Sequence, residues 1–430
     1  MGPIGIHPAR YACMVDANQN IYPLMDFIGL IEQEVVSGDG STEKHTLKCT
    51  HNAAASIAMT CAEIPYEGAV QLLNQLAGLE LTVMTAFRVT DSVGSEFIKD
   101  VPACIDPKKI AKRAKKMKDN ALETRISEMS QSENIDEIIK KALKDGPEGI
   151  LYKDYDGPTI KALFVEADGS GIHGRPVELM GVKGKQSDGS AKTFEGKIGA
   201  VFMVDFTSDG RPLLTENGEI HRNKDISYMG TTRRSKAFGA MLYRHALENG
   251  LKKADAVVFL GDGAKWLWGI QKTFFPTALC VIDIYHAIER ANALVDLLSG
   301  LRKKGEKQAF KDKCIALLKA GNVQEMIELI ETQTCLKKKE KKLNKALDYF
   351  RKNIERMNYG LLSACGIFIG SGVIEAGCKV IIGSRMKNAG MHWLKDHAEK
   401  MIALRCAIRN GVFLKSYLHD QTPHDIKAVA

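Results

Sequence analysis

Short apolar runs rich in β-branched residues punctuate the middle of the chain, and longer amphipathic stretches flank them. Period and composition predict strands over Thr159–Asp168, Thr193–Phe206, Ile226–Thr231, Ala256–Gly261 and Ala278–Asp283. A helix is expected over Lys236–Gly250, stopped by its glycine. After Asp283 the pattern turns wholly helical: Ala287–Leu298, Lys307–Leu318, Val323–Thr334 and Lys339–Met357. Upstream, Tyr66–Ala77 carries one apolar stripe and ends at Gly78, and Thr82 can cap a second helix reaching about Phe97. That pair has the size of a helix-turn-helix. Ile110–Leu143 reads as charged connecting helices closed by the turn Asp145–Gly149, Met25–Val36 as an amphipathic helix, Ser37–Ser41 as a loop and Ala53–Cys61 as a packed helix.

Candidate chemistry sits at the ends of these elements. Asp168 and Asp262 each close a strongly apolar run and are each followed by glycine, which is expected to turn the backbone away from the strand. Glu375 follows Gly370-Ser371-Gly372, a bend that suits a helix start and places the carboxylate in its first turn. Two strand-end aspartates at one sheet edge can share divalent metal, and a helical carboxylate completes such a cage. Asp205 sits on a strand of opposite sense and is expected to point away. Asp283 and His286 form D-x-x-H after the fifth strand, where a helix cap competes with a role in orienting the metal ligands or positioning DNA. Trp266 is a candidate to stack on an unpaired base, and Trp268 reads as core.

Charge adds a partner to this picture. The net charge is +8, and its excess is clustered. Lys108, Lys109, Lys112, Arg113, Lys115, Lys116 and Lys118 form one group, and Lys337, Lys338, Lys339, Lys341 and Lys342 another. Such clusters suit phosphate backbones. Arg88 lies on the second N-terminal helix, while Lys379, Arg385 and Lys387 follow Glu375 and could hold phosphates. The ten cysteines are scattered, with no C-x-x-C, as in a reducing cytoplasm. The opening MGPIGIHPAR lacks the basic and apolar segments of a secretory signal. A soluble intracellular protein without membrane association is therefore expected.

Several words in fixed order, GDGAKWLW (Gly261–Trp268), FFPTALCVIDIYHA (Phe274–Ala287), IGSGVIEAGCKVIIGSRMKNAGMHW (Ile369–Trp393) and ALRCAIRNGVF (Ala403–Phe413), resemble the Kra group of DDE-type insertion-sequence transposases. The likeness runs from about Tyr155 to Tyr417. It implies a ribonuclease-H-like catalytic core, which the order three strands, helix, strand, helix, strand also suggests. By matching motif, the triad falls on Asp168, Asp262 and Glu375, as catalytic residues and as ligands of two Mg²⁺ ions that Mn²⁺ could replace. The expected partners are DNA, as terminal inverted repeats and target, and further copies of the chain when two ends are synapsed. The expected location is a prokaryotic cytoplasm, at the nucleoid. The zinc ribbon common in that group has no counterpart here.

The expected architecture is mixed α/β. Residues 1–64 form an N-terminal helical region, and 65–150 a helix-turn-helix-like DNA-binding region with basic connecting helices. The core occupies 155–287 and 361–418 around a helical insertion at 288–360, and 419–430 form a tail. A transposase-derived DNA-binding protein without activity and a purely hydrolytic nuclease are the alternative readings.

Overall fold

The computed structural model describes residues 31–36, 42–47, 51–101, 108, 110, 120–184, 186–187, 189–301 and 303–419. Its centre is a five-stranded sheet: β1 (Thr159–His173), β2 (Thr193–Thr207), β3 (Ser227–Thr231), β4 (Ala256–Gly261) and β5 (Leu279–Ile282). The spatial order is β3-β2-β1-β4-β5. The first three strands are antiparallel neighbours, whereas β4 runs parallel to β1 and β5 parallel to β4. This order and sense make a ribonuclease-H-like core. Ala162–Ala167 is buried throughout because both faces of the sheet are covered, which is why its sequence reads as a continuous apolar run.

One expectation about β1 is overturned. The strand does not stop at Asp168 but continues to His173, with Asp168 paired to Ile198 and Gly169 to Lys197. Fifteen consecutive ladder partners on β2 outweigh the weak strand preference of the DGSG stretch. Gly169 is required for another reason: a Cβ there would lie 2.3 Å from the Glu195 carboxylate. At Gly263 the expected turn does form, with φ of +87°.

One face of the sheet is packed by the helices Ser235–Glu248 and Lys265–Phe274, and the same apolar cluster continues into the helices Lys304–Ala320, Val323–Glu331 and Lys337–Asn353. The other face is packed by Gly372–Cys378, a π-helical segment Lys379–Gly383 and the helix Lys395–Arg409. The N-terminal helices His51–Glu63, Tyr66–Ala77 and Val83–Glu96 join this second cluster. Val83–Glu96 turns its buried residues inward, and its Asp91 is ion-paired with His397 at 2.5 Å and Lys400 at 2.7 Å. The pair expected as a helix-turn-helix is thus fused to the C-terminal helices through one side of its second member. Arg88, on that helix, is exposed.

Two further differences lie upstream. Ile31–Val36 is a strand, paired antiparallel with Thr42–Leu47, where a helix was expected. Its β-branched ends and alternation (IEQEVV) suit a ladder better than a helix once TEKHTL is available as partner. The connecting region holds the helices Ala121–Ser130 and Ile135–Asp145. Of the first basic cluster, Lys108 is exposed; Lys109, Lys112, Arg113, Lys115, Lys116 and Lys118 lie outside the described residues, as does the loop at 37–41. Among the described residues no helix is long and apolar enough to cross a membrane.

Candidate active site

Asp168 lies on the central strand and Asp262 on the turn after its parallel neighbour, so the sheet brings the two carboxylates to one edge. Asp168 Oδ1 accepts the Gly169 N–H at 2.7 Å, and Asp262 Oδ1 accepts that of Ala264 at 2.8 Å. Burial pushes the Asp168 carboxyl above its usual range; the Gly169 N–H opposes this, and the charge of Asp262 adds to it. The site therefore brings two carboxylates close enough for each charge to disfavour the other, with the nearby His286 partly offsetting this.

Glu375 arrives from the far end of the chain. Its helix, Gly372–Cys378, is tied down at two points. The buried Glu166 accepts the Ile374 N–H at 2.9 Å, and Asp283 accepts both the Ser371 N–H at 2.6 Å and its hydroxyl at 2.8 Å. Asp283 is fully buried and also takes the N–H of His286 at 2.7 Å and its ring Nδ1 at 3.0 Å. Burial raises the Asp283 carboxyl, but these donors together hold it below the usual range. The hydrogen bond that His286 donates to Asp283 lifts its imidazole to about 9, so the ring is a cation at neutral pH. Asp283 thus caps its helix and ties the end of β5 to the start of the Glu375 helix. Both its oxygens are occupied and neither reaches solvent.

The donor set suits a hard divalent cation. Among the described residues, Asp168 Oδ2 takes a weak contact from the Cys378 thiol, at 3.9 Å, and Glu375 one from the Ser371 hydroxyl, at 3.4 Å. No partner falls on Asp262 Oδ2 among the described residues. All three keep oxygen lone pairs for a metal. Asp283, His286 and Glu375 each offer an atom within 4.8 Å of the others. The Asp283 oxygens are already saturated, so this closer trio is a hydrogen-bonded support more than a ligand set.

The surrounding side chains divide. Lys387 reaches back to donate to Ser170 on β1 at 2.7 Å, which sets a cation two residues from Asp168. Lys379 is exposed. Arg385 does not take the phosphate-holding role expected of it: it is 0 % exposed, donates to the Cys61 carbonyl at 2.7 Å and lies over the rings of Tyr66 and Trp393. Trp266 is half-buried, edge-on to Phe238 at 5.8 Å and under the Lys197 ammonium. Trp268 is buried beneath Arg356, 4.4 Å from the ring. Asp205, paired with Lys161, stands at the opposite end of the sheet.

Three residues were missed. Glu166 is fully buried and burial lifts its carboxyl to about 8; its Oε1 has no partner. A charged residue inside an otherwise apolar strand, two positions before Asp168, was a readable signal. Tyr285, 63 % exposed between Asp283 and His286, occupies the space that a Cβ on Gly370 would need, 3.0 Å away. Tyr349, from the helix Lys337–Asn353, donates to the Asp262 carbonyl at 3.4 Å and fills the space above Gly263, with the Arg290 guanidinium 4.2 Å from its ring centre. Nothing local in the sequence points to that contact.

No family model matches the chain. A stretch of 135 residues is 30 % identical to the UPF0236 protein in vanSb 3'region of Streptococcus gallolyticus, covering 31 % of this chain and 28 % of that protein. The chain thus spans well under a third of this relative in the matched region. The Drosophila P element transposase strand transfer complex aligns over 96 % of this chain and 87 % of that one, at 10 % identity and a TM-score of 0.26. That score is too low to bear on the fold, which rests on the strand order.

Proposed function

We propose that the chain is a DDE-type transposase of the Kra-like kind, a metal-dependent polynucleotidyl transferase acting on the DNA ends of an insertion element. The reading is supported by Asp168 on β1 and Asp262 just past the end of its parallel neighbour β4, and by the Glu375 helix, whose Cys378 lies 3.9 Å from Asp168 and which is anchored to β1 by Glu166 and to β5 by Asp283. Asp168, Asp262 and Glu375 would hold Mg²⁺, or Mn²⁺ in its place. When bound, the metal supplies activation of a water or 3′-hydroxyl and stabilisation of the leaving oxygen. Asp283 fixes the direction from which Glu375 enters. Lys387 and the His286 cation bind phosphate oxygens beside the carboxylates, and the turn at Gly263 holds the Asp262 side chain over the edge. DNA, as element ends and target, is the substrate, and two ends call for more than one copy of the chain.

Asp168→Asn, Asp262→Asn and Glu375→Gln keep volume and remove a ligand charge. Each should lower Mg²⁺-dependent cleavage of terminal-repeat duplexes by at least roughly a thousandfold, about 4 kcal/mol of barrier, with the fold intact by circular dichroism. Substantial cleavage by any one of the three removes that residue from the site. Joining of a 3′-hydroxyl end to target DNA by the wild-type chain separates strand transfer from simple hydrolysis.

A further inference from the structure

The helix Lys337–Asn353 has a second face that the site does not use. Leu343, Leu347 and Phe350 are buried against the insertion. Lys338, Lys342, Lys345 and Tyr349 follow one another at spacings of four, three and four, which aligns them along one side of the helix. The three lysines are exposed, and none is ion-paired to an acid among the described residues. Tyr349, at the end of this line, is the residue whose hydroxyl touches the Asp262 carbonyl and fills the space above Gly263. A continuous rigid helix therefore joins an unneutralised line of positive charge to the turn that carries a candidate metal ligand.

From this we infer that the helix Lys337–Asn353 is a phosphate track, along which one strand of substrate DNA runs from the Asp262 turn across Lys345, Lys342 and Lys338. This rests on the reading of the site as one that acts on DNA. At about 1.5 Å rise per residue, the three lysines stand roughly 6, 10 and 16 Å along the helix from Tyr349. B-DNA rises about 3.4 Å along its axis per nucleotide of one strand, and the phosphates themselves lie further apart because the strand also winds about that axis. The three lysines therefore span only the first few phosphates beyond the one at the turn. Arg290, stacked on Tyr349, adds a cation at the entry. An ordinary solvated face would spread its lysines among acids around the helix. Here the flanking acids are used elsewhere: Asp348 holds Arg351 at 3.0 Å, and Glu331 from the neighbouring helix holds the same arginine.

The test uses the full chain and a 40-base-pair random duplex, whose binding is followed by fluorescence anisotropy from low to moderate salt. Each neutralised phosphate contributes about −0.9 to the slope of log affinity against log salt. The triple variant Lys338→Gln, Lys342→Gln, Lys345→Gln should lose about 2 to 3 units of that slope. A control triple at exposed lysines on another helix of the insertion, Lys304–Ala320, Lys304→Gln, Lys313→Gln and Lys319→Gln, changes net charge equally and should leave the slope within one unit of wild type. An unchanged slope in the first triple, or equal losses in both, overturns the track. Terminal-repeat cleavage by the wild type distinguishes the failures: cleavage with an unchanged slope sinks the track alone, and no binding or cleavage at all sinks the functional reading with it. A footprint extending a few phosphates from the cut on one side, shortened in the first triple, identifies which flank it holds.

Discussion

The two faces of the sheet are built in opposite ways. On one, Ser235–Glu248 and Lys265–Phe274 cover the very strands they precede or follow, and the packing is apolar with aromatic edges such as Tyr243 on Phe275. On the other, helices from both ends of the chain meet: Arg405 donates to the Ala62 carbonyl across 343 residues, and Arg385 to Cys61 across 324. This second face buries two guanidinium groups, both 0 % exposed. The reason is local. The π-helical segment Lys379–Gly383 loosens the carbonyl ladder, and Arg405 takes up the Val380 and Ile381 carbonyls that face it. Neighbouring segments can cover a face with oil alone. A face assembled from distant segments, with an irregular helix in it, here uses directional donors to fix its alignment. The Glu375 helix leads straight into that segment, so the second face sets the position of a candidate ligand.

The contrast can be broken by truncating one anchor on each face. Arg405→Met should cost about 3–5 kcal/mol in urea unfolding, because several buried carbonyls lose their donor. It should also depress cleavage under conditions where the protein stays folded, since the Glu375 helix loses its backing. Trp268→Ala on the local face should cost a similar or slightly smaller amount, about 3–4 kcal/mol, with cleavage by the folded fraction unchanged. Loss of cleavage in both variants, or in neither, would mean that the two faces serve the site equally.

A finer test concerns the join between them. Glu166 holds its proton to about pH 8 in the folded state, well above its ordinary 4.5. Folding therefore takes up a proton, and stability falls as pH rises from about 4.5 to 8. In metal-free protein the slope approaches about 1.4 kcal/mol per pH unit. Glu166→Gln keeps an acceptor for the Ile374 N–H and should flatten that decline. A remaining fall from 6.5 to about 9 belongs to His286, whose raised pKa gives stability present at low pH and lost above it. Identical pH curves for variant and wild type would show that Glu166 is ionised in the fold. The smallest effect is expected at Trp266: its removal should cost about 1–2 kcal/mol for a half-buried ring, with no rescue of cleavage by unpaired flanking bases. Strong rescue would support a base-stacking role for the ring.

Much of the local face was legible in the sequence. Ala256–Gly261 forms the strand its apolar run predicts, and the helix expected over Lys236–Gly250 forms as Ser235–Glu248. The order of elements was readable for the same reason: neighbouring segments carry their own periodicity. The far face was not. Whether Arg385 holds a phosphate or a carbonyl depends on Cys61, and no local pattern encodes that partner. Asp168 and Asp262 were legible as acids followed by glycine, and Glu375 as an acid early in a helix after a Gly-Ser-Gly bend. Their support was not, because Ser371 and Asp283 meet only after 88 residues of intervening helix and loop.

Asp168 sits within a ladder and not at a free strand end, and this sets how the chain can change length. Its direction is dictated by the pleat, so a one-residue insertion or deletion anywhere from Ala162 to Ala167 would turn the carboxylate to the opposite side of the sheet and offer Ala167 or Gly169 instead. A two-residue insertion between Ala162 and Val165 is different, because Glu166 shares the pleat side and would slide into the slot of Asp168. Mutational drift in this strand is therefore quantised: odd steps erase the acid edge, and even steps can exchange one acid for another.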